Sequence, residues 1–232
     1  LTNDEARKKR RRKTDGERRR LLRLHRYELA AFERGVEFIG GVDEVGRGPL
    51  AGPVVAACVV VNGPLMLKGL NDSKQVPREL RTELAERIKA ECIAWSVGLA
   101  TVAEIERLNI YWASILAMER AIEGLTQRPG FLLTDAVRLR SFEGEQEPVI
   151  KGDAKCASVA AASIVAKVHR DALLVELDAL YPHYGFAEHK GYATQRHIEA
   201  LRVHGPCQEH RRAFWRVAEA LTLPGIVSGE RA

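Results

Sequence analysis

The stretch Glu37-Phe-Ile-Gly-Gly-Val-Asp-Glu-Val-Gly-Arg-Gly-Pro-Leu-Ala-Gly-Pro-Val-Val-Ala-Ala-Cys-Val-Val-Val61 decides the fold. Residues 37–43 read as one strand, and 54–61, rich in β-branched side chains, as a second. Between them lie Gly46, Gly48, Gly52, Pro49 and Pro53, residues that break regular structure. Downstream, residues 77–91 have helical spacing with a proline near the first turn, and 92–100 form a third strand. A buried helix is expected over 110–123, and short strands over 131–133 and 148–151. A long helix follows over 157–180, then amphipathic helices over 194–204 and 211–221. Strands that first run as a meander and then alternate with helices predict an α/β fold: a mixed sheet flanked by helices, with a small C-terminal helical cap.

Upstream, the chain is strongly basic. Residues 1–26 hold twelve Lys or Arg against four acids, a net +8, so the rest of this +5 chain carries −3. Such an arm suits phosphate attraction, and equally suits a solvated tail. The expected domains are a basic, disordered arm over 1–20, an N-terminal helix over 21–36, a catalytic domain over 37–185 and a helical cap over 186–232. No apolar run is long enough to span a bilayer, and the charged N-terminus does not resemble a signal peptide, so a cytoplasmic protein is expected. The cysteines Cys58, Cys92, Cys156 and Cys207 have no metal-binding spacing and read as reduced, mostly buried hydrophobes.

The acids Asp43, Glu44, Asp135 and Asp153 each lie at or just past the end of an apolar segment. A sheet delivers such side chains to one edge, where clustered carboxylates repel unless a cation sits between them. Oxygen-only donors favour Mg²⁺ or Mn²⁺ over zinc. Neighbours on a regular strand point to opposite faces, so Asp43 and Glu44 are expected to share a site only if the strand ends or bulges there. A dinucleotide-binding loop is rejected, because the glycines flank two acids and lead into a strand.

Other clusters admit two readings each. Asp72-Ser73-Lys74 either holds a phosphate or shapes a turn. Lys167 and Arg170 share a helix face, contacting phosphate or solvent. His183, His189 and His197 match no zinc pattern and read as surface or substrate-edge residues. Tyr184-Gly-Phe186 and Lys190-Gly-Tyr192 either pack on nucleotides or pack the loop.

Taken together these segments resemble type 2 ribonuclease H. The match runs from Gly41-Val-Asp-Glu-Val-Gly-Arg-Gly-Pro-Leu-Ala-Gly-Pro-Val54 through Asn71-Asp-Ser-Lys74, Leu108-Asn-Ile110, Thr134-Asp135 and Lys151-Gly-Asp153. It continues in Ala160-Ala-Ala-Ser-Ile-Val-Ala-Lys-Val-His-Arg-Asp171, Tyr181-Pro-His-Tyr-Gly-Phe186 and His189-Lys-Gly-Tyr192. The resemblance implies a ribonuclease H-like fold and a monomeric endonuclease that cuts RNA in RNA–DNA hybrids and at single ribonucleotides in duplex DNA. It implies that Asp43, Glu44, Asp135 and Asp153 are catalytic and hold the metal, one ion without substrate and a second with it. It further implies that Gly46, Arg47 and Gly48 probe the 2′-hydroxyl and that Tyr192 packs on the neighbouring deoxyribose, with Ser73, Lys74, Lys167 and Arg170 as further substrate contacts. Arg47 argues against the sister type 3 enzymes. The chain departs from the family in Arg212-Ala-Phe-Trp-Arg-Val217, where Ser-Phe and Pro-Val are usual, and in its longer basic arm. Two competing readings are a non-catalytic nucleic-acid binder using that arm, and another ribonuclease H-like nuclease without junction preference.

Overall fold

The computed structural model describes residues 3–222. Helices α1 (Asn3–Leu24) and α2 (Arg26–Glu33) lead into β1 (Ile39–Val45), β2 (Val54–Val61), α3 (Arg78–Glu91), β3 (Ala94–Ala100) and α4 (Val102–Glu123). Then come β4 (Phe131–Asp135), β5 (Glu145–Val149), a single 3₁₀ turn at Gly152–Ala154, α5 (Ala157–Leu180), α6 (Phe186–His189), α7 (Gln195–His204) and α8 (Trp215–Thr222).

The strand order is β3-β2-β1-β4-β5. β1, β2 and β3 form an antiparallel meander, and β4 and β5 add in parallel to β1. Period-2 alternation splits β2 between two cores: Val55, Ala57, Val59 and Val61 face α5, whereas Val54, Ala56, Cys58 and Val60 face α4. Burying a valine side chain contributes roughly 1.5–3 kcal/mol, so this central strand anchors both layers. A third cluster joins Leu50 and Ala51 to Leu174, Phe186, Leu201 and Val217, seating the cap on the turn after β1.

Several expectations change. The basic arm is helical from Asn3 rather than disordered through residue 20. Its last turns are tied down: Arg20 pairs with Glu17 at 2.9 Å and donates to the Leu70 carbonyl, while Glu17 accepts the Gly69 N–H. Leu21 and Leu24 enter the core. With one end anchored, a run of Arg, Lys and Glu propagates as helix. The expected helix over 21–36 is interrupted at His25, and Gly35 ends it at φ +88°. α4 begins eight residues earlier than expected and kinks at Asn109 (φ 67°, ψ 166°), whose Oδ1 accepts the Tyr111 and Trp112 N–H groups and restarts the helix. β5 lies at 145–149 instead of 148–151, and α8 starts at Trp215 rather than at 211. Among the described residues no helix is long and apolar enough to cross a membrane.

Candidate active site

β1 runs one residue past its acids, to Val45, without a bulge. It pairs regularly with β2 through Asp43↔Ala57, Glu44↔Ala56 and Val45↔Val55, whereas its pairing with β4 stops at Val42↔Thr134. Asp43 therefore lies on the α5 face and Glu44 on the α4 face. Both stand beside Asp135, the last residue of the shorter β4. The expected strand end follows directly at Val45, without a bulge, and the neighbouring strand has run out too, so two carboxylates on opposite faces serve one edge.

Gly41 sets the depth of this edge. A Cβ there would stand 2.1 Å from the Ser158 carbonyl carbon and 2.4 Å from the Val159 nitrogen, so α5 lies directly on the β1 backbone. Farther along the helix, Ser163 hydrogen-bonds Asp43 and exchanges a 2.9 Å hydrogen bond with Ser73 Oγ. Ser73 is buried, so its side chain braces Ser163 instead of facing a substrate, a correction to the expected contact. At the start of α5, Glu28 Oε1 accepts both the N–H and the hydroxyl of Ser158, a carboxylate at a helix N-terminus where backbone donors lack partners.

Backbone strain surrounds the remaining acids. Ala136, directly after Asp135, and Lys151, two residues before Asp153, both have left-handed φ, 55° and 59°. Asp135 Oδ1 accepts the Gly152 N–H at 2.9 Å, which fastens the Asp153 turn to the end of β4. Lys74, its side chain 82% exposed, reaches Asp153 Oδ2 at 3.4 Å, and Arg47 Nη1 reaches Glu44 Oε1 at 3.2 Å.

Electrostatically the cluster is frustrated. Burial, then the charges of Glu44, Asp135 and Asp153, holds the Asp43 carboxyl well above its ordinary range, against the single Ser163 hydrogen bond. Burial also raises Glu44, with Asp135 adding to it and Arg47 opposing, and raises Asp153, with Asp72 and Asp135 adding to it and Lys74 opposing. Among the described residues no three acidic, His or Cys side chains close into a ligand set, because each carboxylate turns to its own local donor. The donor chemistry nonetheless fits a hard divalent cation: oxygen only, with like charges that a cation between them would relieve.

The turn after β1 curls inward. Gly46 has φ +97°, and a Cβ there would meet Arg170 Nε at 2.2 Å, so only glycine fits. Gly48 differs: a Cβ there would make ordinary van der Waals contact with Tyr192 Cε1 at 3.9 Å, so the turn and the ring lie side by side. Tyr192 itself is 45% exposed.

Arg170 corrects its assignment as a phosphate contact. It is fully buried, and its guanidinium donates to the carbonyls of Pro53, Lys190 and Ala51 at 3.0 Å each. Lys167 shares its helix but pairs with Asp171 at 2.7 Å. His189 and His197 are buried too, against the expected surface role, while His183 is exposed.

These imidazoles hold the Tyr192 backbone. The Cys207 N–H donates to His210 Nδ1, so His210 Nε2 carries the proton and donates to His197 Nε2 at 2.9 Å. His197 Nδ1–H then donates to the Tyr192 carbonyl at 2.9 Å. Burial lowers His197 to about 4 and, with the charge of His197 adding, His210 to about 3.

Sequence reasoning missed Arg211. It is fully buried just before α8 and donates to the carbonyls of Gly46, Arg47, Pro49 and Gly52. The available signal was indirect: a Gly/Pro-rich turn whose carbonyls point inward needs buried donors. Nothing local says which arginine supplies them.

The family profile for ribonuclease HII matches residues 40–218. Ribonuclease HII of Moorella thermoacetica is 51% identical over 199 residues, 86% of this chain and 97% of that protein. Ribonuclease HII of Anaeromyxobacter sp. is 50% identical over 215 residues, 93% of this chain and 68% of that protein. Among solved structures, ribonuclease H2 from Pyrococcus horikoshii superposes with a TM-score of 0.68 at 26% identity, covering 79% of this chain and 96% of that one.

Proposed function

Since the chain belongs to the ribonuclease HII family, endoribonucleases acting on RNA–DNA hybrids, we propose that it also cuts at single ribonucleotides embedded in duplex DNA and so serves their removal. The family needs a divalent metal. In our reading Asp43, Glu44, Asp135 and Asp153 would hold Mg²⁺ or Mn²⁺, one ion in the free protein and a second with substrate. When bound, such ions supply an activated water and stabilise the leaving 3′-oxygen, giving 5′-phosphate and 3′-hydroxyl ends.

The chain's own groups do the rest. Lys74 stands at the rim, positioned to meet a phosphate beside Asp153. Gly46, Arg47 and Gly48 offer a turn that approaches the sugar closely, and a 2′-hydroxyl is what distinguishes RNA from DNA at one nucleotide. Tyr192 presents its half-exposed ring beside Gly48, suited to packing on the adjoining deoxyribose. Ser73, Arg170 and Lys167 act behind this surface: Ser73 braces Ser163, Arg170 holds carbonyls of the turn, and Lys167 pairs with Asp171.

The observation that carries this reading is one edge holding four mutually repelling acids beside an open Gly-Arg-Gly turn. The test is cleavage of a DNA duplex containing one ribonucleotide, with Mg²⁺, with Mn²⁺ and with chelator. Metal-dependent cutting at the ribonucleotide is expected. Cutting that survives chelation would overturn the metal assignment, and an uncut duplex beside a cleaved long hybrid would overturn the junction assignment.

A further inference from the structure

The carbonyls of the turn after β1 are drawn inward by two buried guanidiniums from distant parts of the chain. Arg211 makes five hydrogen bonds to four of them: Gly46 at 2.5 Å, Arg47 at 3.0 Å, Pro49 at 2.8 Å and Gly52 twice, at 3.0 and 2.8 Å. In a trans peptide the C=O and the following N–H point in opposite directions. Pulling in the Gly46 and Arg47 carbonyls therefore turns the Arg47 and Gly48 N–H groups outward.

Two other amides of the turn are occupied. Leu50 N–H donates to Gly191 and Gly52 N–H to Glu209, both at 2.8 Å. The Arg47 and Gly48 N–H groups meet no acceptor among the described residues, and both residues are exposed. Two adjacent free donors facing open space form an anion- or oxygen-binding concavity.

Charge reinforces the geometry. Neither Arg170 nor Arg211 has a carboxylate within ion-pair distance among the described residues, so their charges rest on carbonyl dipoles, with the Phe214 ring 5.2 Å from the Arg211 guanidinium. Burial lowers Arg170 to about 10 and, with the charge of Arg170 adding, Arg211 to about 9, which leaves both cationic at neutral pH.

We propose that Arg211, assisted by Arg170, is a positioning residue for ribonucleotide recognition, aiming the Arg47 and Gly48 N–H groups at the 2′-oxygen. The inference rests on the junction-cutting function and adds its cause. A lysine cannot substitute, because a single ammonium lacks the planar fork that serves four carbonyls at once.

The test compares Arg211→Lys and wild type for dissociation constants in chelator on three duplexes: one ribonucleotide, one 2′-fluoro nucleotide at the same position, and all DNA. The variant should lose at least tenfold of the preference for ribonucleotide over 2′-fluoro, about 1.4 kcal/mol, with affinity for all-DNA duplex kept within about threefold. Purely structural damage weakens all three together, and an unchanged preference overturns the proposal. Arg170→Lys is the second variant should Arg211→Lys fail to fold, and the same loss of preference is expected.

Amide exchange of the wild-type protein checks the donors directly. Arg47 and Gly48 should exchange freely alone and be protected by the ribonucleotide duplex but not by all-DNA duplex. Protection in the free protein overturns the proposal. If wild type itself shows no preference between duplexes, the junction function fails instead.

Discussion

Replacing Asp43 by Asn should abolish cutting and, in chelator, stabilise the protein. Asp43 is buried, feels the charges of Glu44, Asp135 and Asp153, and has one hydrogen bond, from Ser163, in its favour. An Asn carbonyl can still accept that bond, so the substitution removes charge and leaves the packing unchanged. Each unit by which burial and like charge raise a carboxyl stores about 1.4 kcal/mol at neutral pH. Relief of about 1–2 kcal/mol is expected, or about 2–8 °C in Tm for a chain of this size. A carboxyl raised in the folded state contributes stability that is complete below its unfolded value, about 3.9. That stability is lost as pH rises through the folded value. In chelator the wild type should therefore fall behind Asp43→Asn as pH climbs from 4 to 7, with the curves meeting at the acid end. Adding Mg²⁺ should raise the wild-type Tm and leave the variant nearly unmoved, while cleavage falls on the order of 10³-fold or more. Thermal melts across that pH range, with and without metal, and cleavage of the one-ribonucleotide duplex provide the measurements. A variant that melts below wild type in chelator at pH 7, or that cuts at full rate, would refute the argument that an uncompensated charge is kept here for metal chemistry.

Tyr192→Ala should harm single-ribonucleotide cutting more than cutting of long hybrids; equal losses in kcat/KM would count against a junction role. Gly41→Ala forces α5 off β1, since its Cβ would meet helix backbone at 2.1 Å. We expect a loss of about 3 kcal/mol or more by denaturant unfolding, and wild-type stability would show that the helix can retreat freely. The buried pair His197 and His210, lowered to about 4 and about 3, contributes stability that is present above the unfolded value near 6.5 and lost as pH falls through the folded values. Each histidine costs about 1.4 kcal/mol per pH unit inside that window; His197→Gln should flatten the acid limb of the stability curve, and an unchanged limb would exonerate the pair. Deleting residues 1–16 should flatten the salt dependence of duplex binding by about one unit of slope per lost phosphate contact; an identical slope would leave α1 without a role in binding.

Much of this protein was legible because it is local. The strand 54–61 and the helix 157–180 stand where their residue patterns put them, since an unbroken apolar β-branched run and an alanine-rich periodic segment need little from elsewhere. The acids at 43, 44, 135 and 153 stand out because charge at the end of an apolar segment is costly without a partner. What failed depended on contacts between segments far apart. The arm became helix because Glu17 and Arg20 found the 69–70 loop. Arg170, read as a phosphate contact, proved to be an internal donor, and periodicity cannot tell a buried arginine from an exposed one.

By itself, then, the sequence determined the layers, the four carboxylates and the Gly-Arg-Gly turn that follows the first two. Tertiary structure alone decided how Asp43 and Glu44 share an edge from opposite faces, because that required β4 to stop at Asp135. It alone decided which way the turn faces, because the guanidinium that draws in the Gly46 carbonyl lies 165 positions away. A carbonyl's need for a donor is written locally, but the donor is supplied by whatever the fold packs behind it.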